Sequence, residues 1–223
     1  MRSLKHLFVG VAFLLVSGCA GQEEQVLNTF FTAIQGGDDN AIQSVSLAKF
    51  PGNVESWELV EIGAESQAPF TLPELHGELE KKRSELRIET EKYANFAGDN
   101  RSLFDEYKKK HEDDADEKFT GELGEFQVAW EERMQQLGVI EKEVETLDQE
   151  AEALRSVAGL SLNTAVNEKF AGDVKGKVLQ LKVNDGSAEK SYTFTLERYE
   201  LVNKERNMSP IARWIITDIK EQA

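Results

Sequence analysis

Cysteine, histidine and proline are scarce in this chain: one, three and four, respectively, in 223 residues. A lone thiol excludes an internal disulfide framework and any zinc site built on cysteine. Basic side chains are also in deficit, with 26 Lys and Arg against 41 Asp and Glu and a formal charge of −15. Nucleic acid is held by neutralising its phosphates with Lys and Arg, so this balance excludes it as a partner. The same balance argues against docking on anionic lipid through a basic face. There is no Gly-rich phosphate loop, no Gly-x-Ser-x-Gly elbow and no His-Glu-x-x-His motif. Long apolar runs are missing too. The longest, Leu7 to Val16, is about half of the ~20 residues needed to cross a bilayer. At 40% hydrophobic and 30% charged residues, the composition is that of a folded chain, too polar for a multi-span membrane protein.

The N-terminus carries the clearest pattern. Arg2 and Lys5 precede the apolar run, and Ser17-Gly18 ends it directly before Cys19. A basic start, a short apolar stretch and small residues in that order read as an export signal over residues 1–18. The segment Val16-Ser17-Gly18-Cys19 resembles the bacterial lipoprotein lipobox, with Val where Leu is commoner. That resemblance implies cleavage before Cys19, acylation of Cys19 and attachment to a lipid bilayer, with residues 19–24 as a lipidated tether. Ala20 stands where Asp would favour retention at the inner membrane. In a cell with two membranes this implies the periplasmic face of the outer one. Loss of Arg2 and Lys5 with the signal takes the formal charge from −15 to −17.

The remaining chain divides by its periodicity. Val26, Leu27, Phe30, Phe31 and Ile34 fall at helical spacing. Gly36-Gly37 ends this helix, Asp38-Asp39-Asn40 caps a second, and Ser56 to Gly63 reads as a strand. Residues 72–158 then carry 24 acids and 13 bases. Leu72, Leu75, Leu79, Leu86, Tyr93 and Phe96 follow a heptad interrupted by Lys82 and Glu89. A second seam runs from Phe119 through Trp130, Ile140 and Leu147 to Ala158, with Arg133 its only polar member. Two such seams predict a coiled-coil-like antiparallel helical hairpin inserted at 72–158. Its tip falls at 108–122 or at Gly98-Asp99-Asn100. Beyond Gly159 the period switches to two. Strands are expected over Lys177–Val183, Lys190–Val202 and Ala212–Ile219, with a turn at Asn184-Asp185-Gly186-Ser187. The alternation changes parity between Leu196 and Tyr199, which predicts a bulge near Glu197-Arg198.

These pieces predict an α+β fold, a curved antiparallel sheet packed on N-terminal helices. The opening Val26-Leu-Asn-Thr-Phe-Phe, the hairpin around Asn184-Asp-Gly and the closing Ala212-Arg-Trp-Ile-Ile resemble the nuclear transport factor two-like, or ketosteroid-isomerase-like, cone fold. The resemblance implies a cone-like domain formed by residues 25–71 and 159–223, with 72–158 as a departure from the family. Enzymatic members need a carboxylate base and a proton donor converging in an apolar pocket. Glu58, Glu61, Tyr192 and Tyr199 are of the right types, but no motif assigns them to catalytic positions, and surface carboxylates and half-buried tyrosines are the simpler reading.

His76 and His111 lack metal-ligand spacing, and the acidic run Glu112–Glu117 lacks the alternating ligands of a calcium loop. No metal, cofactor or catalytic residue is therefore assigned. Arg133 is expected to pack its stem and reach an acid such as Glu85 or Glu89 on the facing helix, the alternative being that it marks register or an external partner; Trp130 is expected in the core rather than at a contact surface. The reading favours a non-catalytic, membrane-anchored envelope protein that contacts a protein or cell-wall partner through the acidic hairpin. The alternative is small-molecule binding, rarely catalysis, in the cone pocket.

Overall fold

A computed structural model describes residues 21–113 and 118–222. The signal segment 1–18 and Cys19 lie outside the described residues. Helix α1 (Gln22–Gly36) buries Leu27, Phe30 and Phe31 and exits through Gly37, whose φ of 66° suits the left-handed exit. Because α1 starts at Gln22, residues 22–24, expected in the tether, are helical. Glu23 is buried there and pairs with Lys177, which ties the first turn to the sheet. Helix α2 (Asp39–Val45) is capped by Asp38, whose carboxylate accepts the Ala41 N–H at 3.0 Å.

The sheet has five antiparallel strands: β1 (Ser56–Ile62), β2 (Ser66–Pro69), β3 (Phe170–Asn184), β4 (Glu189–Asn203) and β5 (Ile215–Glu221). Its order is β1-β3-β4-β5, with β2 beside β1 on the same edge of β3. Strand β2 has no apolar alternation because all four residues are exposed, and Pro69 is tolerated on an edge. Strand β3 begins earlier than its alternation implies. Gly172 and Gly176, which lack side chains, and Lys175 mask the period in its first half.

No bulge occurs at Glu197-Arg198. The β3–β4 ladder runs unbroken from Phe170↔Asn203 to Asn184↔Glu189. The parity change has another cause: two helical layers cover opposite faces at the two ends of one continuous ribbon. Leu179, Leu181, Phe194 and Leu196 face α1 in one core with Leu27, Phe30, Phe31 and Trp214. Phe170, Tyr199 and Leu201 face the other way, into a second core with Leu72, Ala151, Ala158 and Leu162. An unbroken ladder keeps strict alternation, so Leu196 and Tyr199 must point to opposite faces. The irregularities lie in the outer strands instead, at Val60 of β1 and Thr217 of β5.

Helices α3 (Leu72–Asp99), α4 (Arg101–Asp113) and α5 (Gly121–Leu162) form the acidic region. The end of α5 is locked to the segment before β5. Ser161 is fully buried; its hydroxyl donates to the Arg213 carbonyl (2.7 Å) and accepts the Tyr199 N–H (3.1 Å). The Arg213 N–H bonds the Ser161 carbonyl at 3.0 Å, and Nε of Arg213 bonds the Leu160 carbonyl at 3.1 Å. Arg213 thus satisfies helix-end carbonyls that would otherwise lack partners. This also delays the final strand, expected from Ala212, until Ile215.

The β3–β4 turn supplies a pH-dependent element. The Asp185 carboxylate accepts the Ser187 hydroxyl (2.6 Å) and the N–H groups of Ser187 (2.8 Å) and Ala188 (3.0 Å). These bonds, the hydroxyl's first, pull its pKa from 3.8 down to about 2. A carboxylate with a depressed folded pKa stabilises the fold above its unfolded value, and that contribution is lost as pH falls through the folded one. An NMR titration of the Asp185 carboxyl should give a midpoint near 2. A midpoint at the ordinary 3.8 would show that the turn does not hold these bonds in solution.

Candidate functional site

The acidic region is an arm built by two long helices and closed by aromatic rings. Tyr93 of α3 packs on Trp130 of α5 with centroids 4.2 Å apart, and Phe96 stacks on Phe126 at 5.4 Å. Farther toward the sheet, Lys82 pairs with Glu143 (2.6 Å) and Arg83 with Asp148 (3.0 Å). These pairs set α3 and α5 side by side in opposite directions. The seam residues of α5 are its less exposed ones: Leu123, Phe126, Ile140, Ala151 and Ala158 are buried, while Trp130, Leu137, Val144, Leu147 and Leu154 are half-buried.

Helix α3 stops at Asp99, and Asn100 caps it with both its N–H and its side-chain amide on the Phe96 carbonyl. Helix α4 then folds against α5: Phe104 lies 4.8 Å from Trp130, and Tyr107 5.9 Å from Phe126. Of the two tip positions expected, 98–100 is therefore a break between α3 and α4, and the other, 108–122, includes residues 114–117, which lie outside the described residues. The acidic run Glu112–Glu117 lies outside the described side chains. Leu103, Phe104 and Tyr107, at helical spacing, were the available signal for α4, and the surrounding Lys and Asp residues hid it.

Arg133 does not reach Glu85 or Glu89. Its guanidinium lies over the Phe96 ring at 4.0 Å, and Nη1 donates to the Ala129 carbonyl at 2.8 Å. A planar guanidinium loses less by stacking on an aromatic face than an ammonium would. Glu85 and Glu89 pair instead with Lys82 (3.0 Å) and Lys92 (2.7 Å). Trp130 packs among Tyr93, Phe104 and Phe126.

The candidate acid–base residues do not converge. Glu58 and Glu61 are exposed on β1. Tyr192 faces the α1 core, with its hydroxyl 3.4 Å from Glu221. Tyr199 lies in the opposite core and donates to Glu197 at 2.7 Å. Burial first, then the Glu197 carboxylate, pushes the Tyr199 phenol well above its ordinary range, so it serves as a structural donor. His76 lies on the first turns of α3, whereas His111 stacks on Tyr107 at 5.1 Å near the end of α4. Among the described residues no group of three or more His, Cys, Asp and Glu could hold a metal ion.

The space between α1 and the sheet is filled by rings. Phe31 contacts Phe30, Phe50, Trp57 and Phe194 at centroid distances of 5.4, 5.9, 5.0 and 5.7 Å. A cavity of about 290 Å³ lies at the edge of this core, beside Gln22, Val26 and Trp214. Charged groups gather there as well. Lys177 and Arg198 sit over the Trp214 ring at 5.1 and 4.8 Å. Burial, the largest single influence on Glu23, opposes its ionisation, but the Lys177 hydrogen bond, a backbone hydrogen bond and the charges of Lys177 and Arg198 together hold the carboxyl below its usual range. The Glu23 hydrogen bond in turn raises Lys177. Both groups are thus charged and mutually satisfied at neutral pH, which suits holding α1 in place and leaves neither poised for proton transfer.

No protein-family model, curated protein or solved structure matches this chain. Among the described residues no helix is long and apolar enough to cross a membrane.

Proposed function

We propose that this protein is an exported lipoprotein, anchored through acylated Cys19, that works as a non-catalytic binding module of the cell envelope. In this reading α1, α2 and the sheet are a cone-like mount, and α3–α5 form a coiled-coil-like arm that contacts a protein or cell-wall partner. The observation that carries it is the filling of the α1–sheet core by Phe30, Phe31, Phe50, Trp57 and Phe194. A small-molecule site in a cone needs a deep apolar cavity with a few convergent polar groups, and aromatic side chains occupy that space. Residues 72–158 meanwhile carry 24 of the 41 acids on an arm longer than the sheet's cores require. Like charge of this density resists anionic surfaces and favours a basic partner.

The reading is tested by crosslinking in native membranes, with the purified N-terminus analysed by mass. An acylated Cys19 is expected at the N-terminus. Partner crosslinks are expected with the whole protein and not with a form whose arm is shortened by replacing residues 84–147 with a short loop. An intact Met1, or crosslinks indifferent to loss of the arm, would overturn it.

A further inference from the structure

One side of the arm is an open groove. Three adjoining cavities, of about 510, 500 and 460 Å³, run between α3 and α5 and share lining residues: the first two Glu78, the last two Lys82, Val139 and Glu143. They form a single trough from Leu75 to Glu89 of α3, about four helical turns or roughly 21 Å. Its floor includes Leu75, Leu154, Leu147 and Val139, and Val139 is 54% exposed. Two helices packed along one seam leave such side chains half-covered, and a third helix is the usual means of covering them.

The rim specifies which helix would fit. Six carboxylates line it (Glu74, Glu78, Glu85, Glu89, Glu143 and Glu150) against two amines, Lys82 and Lys142. Lys82 is already held by Glu85 and Glu143 at 3.0 and 2.6 Å. Glu74, Glu78 and Glu150 have no ion-pair partner among the described residues. The opposite side of the arm differs. There Arg83 pairs with both Glu80 and Asp148, and Arg155 pairs with Glu152, so carboxylates are matched by guanidinium groups. A second copy of this chain would bring another strongly acidic arm against the rim, and like charges across an interface are disfavoured.

We propose that the α3–α5 groove is the docking site for a basic amphipathic helix of another protein, with its apolar stripe on Leu75, Val139, Leu147 and Leu154 and its Lys or Arg flanks against Glu74, Glu78 and Glu150. The mode is helix-in-groove, with anchors at i, i+3, i+4 and i+7 supplying contact and flanking charges supplying orientation and speed of encounter. This inference rests on the arm being the working surface and names the class of partner that surface takes.

The test uses the lipid-free chain from Ala20 onward, which contains every element described above. The probe is a fluorescent synthetic helix of about five turns with Leu at i, i+3, i+4 and i+7 and Lys on both flanks; its counterpart carries Glu in place of Lys. Fluorescence anisotropy should show saturable binding of the basic helix and not of the acidic one. Glu78→Lys with Glu150→Lys should weaken binding at least about tenfold, whereas Glu80→Lys with Glu152→Lys, the same change of charge on the other side, should weaken it less than about threefold.

Val139→Glu separates the groove from net charge. It adds a negative charge, so binding by charge alone would tighten, whereas docking on the apolar floor should weaken about tenfold. Val139 is exposed enough that folding should be unaffected, which circular dichroism of each variant checks. Absence of binding, equal binding of the acidic helix, equal loss with both charge-reversed pairs, or tightening by Val139→Glu would each overturn the proposal. So would self-association in the ultracentrifuge abolished by Val139→Glu, because a second copy would then be the occupant. If membrane crosslinks need the arm but ignore Val139→Glu and the Glu78/Glu150 pair, the groove inference fails while the arm remains the working surface. If crosslinks survive loss of the arm, that underlying reading fails.

Discussion

Removing residues 72–158 should abolish cooperative folding, whereas replacing only residues 84–147 by a short loop should leave a folded protein. The difference lies in where the second core sits. Leu72, Ala151 and Ala158, all within the longer deletion, pack with Phe170, Tyr199 and Leu201 of the sheet and are at most 2% exposed. Each large apolar side chain lost from such a site costs about 2–5 kcal/mol, and a domain has only about 5–15 kcal/mol in total. The longer deletion also strips most of α5, whose last residues hold Tyr199 and Arg213 through Ser161. The shorter replacement joins Arg83 to Asp148, which already touch at 3.0 Å, and keeps the whole base of the arm. Urea unfolding followed by circular dichroism distinguishes the outcomes. A cooperative transition for the chain lacking 72–158 would mean that the sheet does not depend on the arm's base.

Truncating Phe31 to Ala should cost about 3–5 kcal/mol, a large share of the stability of a domain this size. Phe31 is 0% exposed and touches four other aromatic rings from α1, β1, β4 and the segment after α2. Its loss would leave a void bounded by stiff rings that cannot collapse inward, the situation in which the cavity penalty is largest. Phe31→Leu, which refills most of the volume, should cost less than half as much. The midpoint of urea denaturation measures both. A shift for Phe31→Ala no larger than that of a surface substitution, about 0.5 kcal/mol, would show that the space between α1 and the sheet is loosely filled. That would reopen the small-molecule reading.

Local patterns identified most elements because local physics forms them. The i, i+3, i+4 stripe of α1, its Gly37 exit and the Asp38 cap are decided within a few residues, and each occurs where its residues place it. The heptads of α3 and α5 mark the faces that meet, since a long and mostly apolar seam has to be covered. The candidate carboxylates and tyrosines were of the right types for chemistry, but type does not bring side chains together. Glu58, Tyr192 and Tyr199 fall on an exposed edge and on two opposite faces.

What the sequence determined by itself is therefore the class of the chain, α+β with an acidic helical region, together with every helix but α4 and most of its strands. The tertiary structure alone decided which face each strand buries. The shift from Leu196 to Tyr199 has the same sequence signature whether a strand bulges or its two halves are covered from opposite sides, and only the unbroken β3–β4 ladder distinguishes them. It decided likewise that Arg133 lies on Phe96, because several acids and rings are within reach of a long side chain. The groove between α3 and α5 has the same origin. A heptad fixes the seam, whereas the residues beside it become a floor and a rim only when a second helix from sixty residues away lies alongside.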